Sequence, residues 1–551
     1  MIKLSKENKA LLIAAASDLN FYGKRLREKQ LAVIENIQAN MPDLKSFEVG
    51  DLADLVKAEK PEKPKAQKAA SNKLDPKVML GNETRQRDNI EVLEGTKFIV
   101  SAAQNNTLPS SVLKQLKTAA SELGAKLVIM PMFYNKKAFS ATAEDESEYF
   151  DPAITPYLVK HDVWLHDEGV VKVCASSAIP LTAKQPINNA QTLNNGELVT
   201  IVGHPKQQQR TLLRMAGEPI KTAWTTASCT VFNYLRGRAG SEAENFHAFG
   251  GTLVEIIDGN AFCTNLCQSQ DGSLMFYDHA CELWAYGATD QTKQRPIVTV
   301  GDSHFEMFDP ECYESVKSVL ETTNAKLAVL HDIAHSESRN HHSINKSSHW
   351  YKMKETSIFN ELKFIIERVN EYAEICDIYL VQSNHNAVID GWLDSQQTAN
   401  NIMFDTTNSK LFYLMKYLVC EAIDHGENPA GLTLAFSNAD LTGLPELASN
   451  VRWGAAHIPE IHYNVDYCSH GHKGANGAAK GLTGGKISQS MCLGHTHSPE
   501  ISYMTSRGGI TTQGTTAKMD QGYNRGGGSS WGQASSITHA NGITQQYFHA
   551  L

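Results

Sequence analysis

From residue 294 onward the chain alternates short apolar runs with amphipathic stretches, and each run ends in a polar cluster. Pro296-Ile-Val-Thr-Val300, Leu327-Ala-Val-Leu330, Ile378-Tyr-Leu-Val381, Tyr463-Asn-Val-Asp-Tyr-Cys468 and Ser490-Met-Cys-Leu493 have the length and residue types of strands. Between the first three, apolar residues recur at helical spacing. Tyr313, Val316, Val319 and Leu320 line one crossover helix, and Phe359, Leu362, Ile365, Ile366 and Val369 line another. The alternation predicts an open α/β sheet. After about residue 500 the texture turns to Gly, Ser and Thr, as in short strands joined by turns, with Gly526-Gly-Gly-Ser-Ser530 as a mobile loop.

Upstream, Lys97-Phe-Ile-Val100 reads as a strand. Val112, Leu113, Leu116, Ala119, Ala120 and Leu123 then fall on one helical face, and Lys126-Leu-Val-Ile-Met130 is a second strand, so a β–α–β unit opens here. Residues 200–290 alternate β-like runs with Gly-rich turns and show no ordered catalytic set. Arg210, Arg214, Arg236 and Arg238 read there as solvated surface charge, with phosphate contact as the alternative. At the start of the chain, Leu31, Ile34 and Ile37 mark a helical segment. Ala10–Ala16 belongs to it rather than to a signal peptide, because it runs on into Asp18 and Lys24-Arg25. Lys57–Lys68, rich in Lys, Pro and Ala, is a solvated linker. The expected organisation is a helical segment over 1–56, linker and connector over 57–94, an α/β domain of unassigned role over 95–293, and an α/β domain carrying the chemistry over 294–551. No internal repeat is legible.

Composition narrows the function. The 551 residues are 41% hydrophobic and 20% charged, which excludes global disorder, and no apolar run is long enough to span a bilayer. A net charge of −9 argues against a general cationic coat for nucleic acid, although a local patch or bound metal could still grip phosphate. The close pair Cys263 and Cys267 has no second pair to complete a zinc cage, and the ten cysteines read as reduced thiols of a cytoplasmic protein. Of 21 histidines, only His161, His166, His204, His247 and His279 precede residue 300.

The later histidines fall into the clusters that end the strands. In order these are Gly301-Asp302-Ser303-His304, His331-Asp332-Ile333-Ala334-His335, Ser383-Asn384-His385-Asn386, Ser469-His470-Gly471-His472 and Gly494-His495-Thr496-His497. Ligands of an open α/β sheet bind beyond the carboxyl ends of its strands, so the five clusters are placed to converge. Carboxylate, amide and imidazole together suit Mn²⁺, Fe²⁺ or Zn²⁺ better than Ca²⁺ or Mg²⁺.

This ordered set resembles the calcineurin-like metallophosphoesterase superfamily over about residues 294–520. The resemblance implies an αββα sandwich holding two metal ions, most commonly Mn²⁺ here, with Fe or Zn as alternatives. Asp302, His304 and His497 would hold the first ion, and Asn384, His470 and His495 the second. Asp332 would bridge them, and His385 would be the catalytic imidazole; His472 is the alternative to His470. Three positions depart from the family pattern: His331 and Ser383 stand where it has Gly, and Asn386 replaces the acid after the catalytic His. Asp332-Ile-Ala-His335 looks like the cluster of the SbcD-like nuclease branch, in which His335 would contact phosphate. The whole chain resembles, more loosely, the large pre-early proteins with which some lytic tailed phages trigger host DNA degradation. The expectation is a Mn-dependent DNA nuclease without a membrane partner, working in host cytoplasm, with assembly surfaces for a homo-oligomer in its N-terminal half. A phosphodiesterase or phosphatase of nucleotides and other small phosphoesters is the alternative. A non-catalytic metal-binding scaffold, for which Asn386 speaks, is a third reading.

Overall fold

The structure is a computed structural model that describes residues 90–136, 149–166, 169–175, 179–215, 217–287, 290–336, 339, 356–455, 458–473, 489–504, 508–521 and 527–550. All of them belong to the compact unit Ile90–Leu551. The N-terminal helical segment, the Lys/Pro-rich linker up to residue 89, and His341, His342 and His349 lie outside the described residues. Within them the chain is mixed α/β, with four sheets and nine α-helices.

The strands Ile297–Val300, Leu327–Leu330, Asp377–Leu380 and Val451–Trp453 lie parallel in a six-stranded sheet. The hairpin Ala534–Thr538/Thr544–Phe548 extends it, antiparallel to Ile297–Val300. These strands are apolar at successive positions because both of their faces are covered. Val298, Val300, Ala328, Leu330, Ile378 and Leu380 pack against helices. Ile297, Leu327, Val329 and Tyr379 instead meet Val465, Tyr467 and Cys492 of a facing sheet.

The crossover helices are Pro310–Thr322 and Ile358–Ala373. Asp309 caps the first by accepting from Cys312 N, and Pro310 opens it, where a missing N–H costs nothing. Ser357 caps the second. The apolar faces are those the spacing predicts, except that Ile358 takes the buried position at the start and Phe359 is only partly buried.

The facing sheet has eleven strands. Its order is Glu91–Leu93, Val163–Leu165, Val171–Cys174, Val199–Val202, Thr222–Thr225, Gln208–Thr211, Glu500–Met504, Gly508–Thr512, Ser490–Leu493, Val465–Asp466 and Ile461–His462. Antiparallel pairing of Gln208–Thr211 with Glu500–Met504 carries one sheet from residues before 294 to residues after it. A four-stranded sheet, ordered Asn260–Cys267, Gly250–Ile257, Lys97–Gln104 and Lys126–Met132, covers the N-terminal part of the large sheet. Phe98, Val100 and Met130 on one face meet Val173, Ile201 and Trp224, while Ile99 and Ile129 on the other meet the helix Val112–Leu123.

A repeat that the sequence does not show is present in the strand pairing. Lys97–Gln104 pairs in parallel with Lys126–Met132 across a helix and antiparallel with the first strand of a hairpin, as Ile297–Val300 does with its neighbours. In the large sheet, the five strands from Val163–Leu165 to Gln208–Thr211 pair in the same order and sense as the five from Ile461–His462 to Glu500–Met504. Periodicity is blind to this repeat, because pairing order leaves residue identities free.

All ten cysteines are free thiols. No helix among the described residues is long and apolar enough to cross a membrane.

Candidate metal centre

Three of the five clusters follow strand ends directly, after Val300, Leu330 and Leu493, and the chain leaves those strands through strained backbone. His304, Asp332, His495 and His497 have φ of 36°, 41°, 77° and 55°, the left-handed region that side chains other than Gly rarely occupy. Tight turns of this kind fold the polar side chains back over the sheet edge. Gly494 lets two turns touch, since a Cβ there would lie 2.2 Å from Asp302 Oδ1.

The side chains converge. Asp302, His304 and His497 offer donor atoms all within 4.8 Å of one another. His497 Nε2 lies 3.1 Å from Asp302 Oδ2 and 3.0 Å from His304 Nε2. Asp332 Oδ2 lies 3.0 Å from His470 Nε2 and 3.9 Å from His304 Nε2, between the two sets of imidazoles. Asn384 Oδ1 lies 3.1 Å from His495 Nδ1, and the His495 ring is 5.4 Å from that of His470. His472 is half-buried, its ring 5.6 Å from that of His470, and His495 is the exposed member of the set.

His335, buried, and His385, half-buried, lie beside His304. Their rings stack at 5.5 Å, and the His385 ring centroid is 4.6 Å from that of His304. His385 Nδ1 is 2.9 Å from the His335 carbonyl, which can only accept, so Nδ1 carries a proton and Nε2 is left to the site. His304 Nδ1 is set in the same way by the Ala334 carbonyl at 3.3 Å. Asn386 turns its amide back to the Val381 carbonyl, so the His335 backbone orients His385 where the family pattern has an acid.

Buried charge is concentrated here. Burial works to raise the Asp332 carboxyl, but the facing imidazoles of His470, His385 and His304 outweigh it and hold it well below the usual range. Asp302 is held down likewise by His470 and His497 against the effect of burial. Burial works to lower His470, and Asp332 and Asp302 outweigh it and raise it. Asp302 Oδ1, Asp332 Oδ1 and His497 Nδ1 are buried without a hydrogen-bond partner. Unsatisfied carboxylate oxygens among converging imidazoles are expensive unless a cation completes them, and this donor set fits Mn²⁺, Fe²⁺ or Zn²⁺.

Two residues here escaped the motif reading. His331 is fully buried and groups with Asp302 and His470, where the family pattern suggests only altered turn geometry; its imidazole next to Asp332 was the available signal. Glu306 accepts from His335 N and Ser336 N at 2.7 and 2.9 Å and pins the loop that carries His335. Its signal was the alternation Asp302, His304, Glu306.

Arg214 is not the solvated charge expected. It is half-buried, with Nη2 donating to the Trp531 carbonyl at 3.2 Å. The part of the expected mobile loop that is described is also held: Ser529 pairs with Arg214 through both backbone bonds, and Ser530 Oγ meets Ser498 Oγ. Gly526 lies outside the described residues.

No protein-family model matches the chain. Over its length it is similar to Protein A1 of Escherichia phage T5, with 29% identity over 560 residues that cover 98% of this chain and 97% of that protein.

Proposed function

We propose that residues 294–551 form a two-metal phosphoesterase domain of the αββα type and that the protein is a DNA nuclease of phage-infected cells. The observation that carries this reading is the position of Asp332, a buried carboxylate within reach of both His304 and His470. Asp302, His304 and His497 would hold one divalent cation, and Asn384, His470 and His495 the other. Bound there, the cations would supply Lewis-acid polarisation of a phosphodiester and a water of lowered pKa.

The chain's own groups do the rest. Asp332 neutralises charge between the two sets of imidazoles. His385, with Nδ1–H fixed on the His335 carbonyl, presents Nε2 to the departing oxygen and can hand it a proton when the ring is charged. His335 stacks on His385, and the likeness of Asp332-Ile-Ala-His335 to the SbcD-like cluster, in which this His would contact phosphate, supports a nuclease over a small-ester hydrolase. Likeness to a phage protein over nearly the whole chain supports the setting, and with it the host cytoplasm.

Digestion of supercoiled plasmid by the purified protein with Mn²⁺, beside Asp302→Ala, tests the reading. Wild type should degrade the DNA and the variant should not. Asp332→Ala should lose both activity and metal, whereas His335→Ala should keep its metal and lose turnover. Intact plasmid with turnover of a small phosphodiester would replace DNA by a small ester as substrate. Absence of both would leave a metal-binding scaffold.

A further inference from the structure

The repeated strand order allows the two halves to be compared position by position at their loop ends. Gly494 follows the strand Ser490–Leu493, and a Cβ there would lie 2.2 Å from Asp302 Oδ1 and 3.0 Å from the His331 Cβ. Gly203 follows the matching strand Val199–Val202, and a Cβ there would lie 3.6 Å from the Ala102 Cβ and 3.2 Å from the Met130 Cβ. The strand register pairs Ala102 with Met130 and Ala103 with Pro131, as it pairs Val300 with Leu330, so the same backbone crossing sets Met130 against His331 and Ala102 against Gly301, and one residue on Ala103 against Asp302 and Pro131 against Asp332. Beyond the glycines, His204-Pro205-Lys206 stands against His495-Thr496-His497. Both carboxylates have no counterpart, and a buried lysine, its Nζ donating to the Lys184 carbonyl at 2.6 Å, replaces a ligand imidazole. Neutral groups fill the same strand ends: Gln104 donates to Asn233 at 2.6 Å, and His247 lies between Tyr234 Oη at 2.9 Å and the Thr230 carbonyl at 3.1 Å.

The two halves meet beside the candidate metal centre. Thr211 N donates to the Pro499 carbonyl at 3.3 Å, and its hydroxyl donates to the Ser530 carbonyl. Arg214 holds Ser529 through its backbone and Trp531 through its guanidinium. The Trp531 ring stands 4.3 Å from that of His497, and Gly532 N donates to the His497 carbonyl at 3.0 Å.

We infer that residues 97–267 are a second, metal-free copy of the phosphoesterase fold, kept as a built-in brace whose strand Gln208–Thr211 and Arg214 position the metal ligand His497. Arg214 is thus a positioning residue, and the inference rests on the two-metal reading above. Supports one step removed from a ligand commonly change metal affinity by about 10- to 100-fold.

The test is Mn²⁺ binding to the full chain, by titration calorimetry and by metal analysis after gel filtration. Wild type should hold two ions per chain, and the double variant Asp302→Asn/Asp332→Asn none. Arg214→Ala should raise the Mn²⁺ Kd about 10-fold with an unchanged circular dichroism spectrum, and Arg214→Lys should recover most of the loss. Arg214→Met, which keeps the stem and removes the donors, reads the same contact if the alanine variant does not fold. Stoichiometric metal left in the double variant would overturn the metal-free copy, and wild-type affinity in the Arg214 variants would overturn the brace. A wild type that binds no metal defeats the two-metal reading itself, and this inference with it.

Discussion

At the scale of single residues, the centre depends on positions where the backbone is held away from its preferred conformations. Left-handed residues cost about 1–3 kcal/mol each, and four of them are candidate ligands, so local stability is given up to place donor atoms. Gly494 makes the arrangement sterically feasible. Gly494→Ala should drive a methyl group into the Asp302 carboxylate and weaken Mn²⁺ binding by about 10-fold or more, which calorimetry would read; unchanged affinity would mean that the turn relaxes freely. Histidines away from the centre set a pH dependence of stability. Burial pushes His539 and His247 down to about 4, and His204 and His549 to about 3. They stay neutral in the fold while the unfolded chain takes up protons below about 6.5, so their contribution is complete above that pH and is lost as pH falls toward 4. Tm in metal-free buffer should drop across that window, and His539→Gln should flatten the fall. A Tm independent of pH there would refute the assignment.

Among the elements, the crossover helices are held by packing more than by propensity. Ile366 is fully buried against the six-stranded sheet and its helix neighbours. Ile366→Ala should destabilise by roughly 2–5 kcal/mol in denaturant unfolding, since the lost methylenes leave a cavity in a close-packed interior. Loss of less than about 1 kcal/mol would mean that the helix collapses onto the sheet. These elements were legible in the sequence: Val316, Leu320, Leu362 and Ile366 fall at 3.6-residue spacing and are buried where that spacing puts them. The strands Val465–Asp466 and Ile461–His462 were less so. One apolar run, Tyr463–Cys468, becomes part of a two-residue hairpin, because short apolar runs do not encode where a turn interrupts them.

For the whole molecule, the eleven-stranded sheet is the consequential feature. It joins residues on both sides of 294 through one antiparallel strand pair, and the Arg214–Ser529 contact continues that junction. Unfolding of the Ile90–Leu551 unit in urea should therefore proceed in one transition. Far-UV circular dichroism and tryptophan fluorescence should share a midpoint, with Trp224 reporting from one half and Trp392 and Trp453 from the other. Two separated midpoints would show that the halves hold together independently.

The sequence by itself determined the strand-ending clusters, the crossover helices and the residue types that converge, because periodicity and donor chemistry are local properties of the chain. Asp302, His304 and His497 needed only their motif and the rule that strand ends gather in order. Tertiary structure alone decided that Asn386 turns away from His385, that His331 and Glu306 belong to the centre, and that Arg214 is half-buried. It also decided that residues 97–267 repeat the strand order of the later half. Each of these depends on which distant backbones touch, and contact between residues hundreds of positions apart leaves no periodic trace in the order of amino acids.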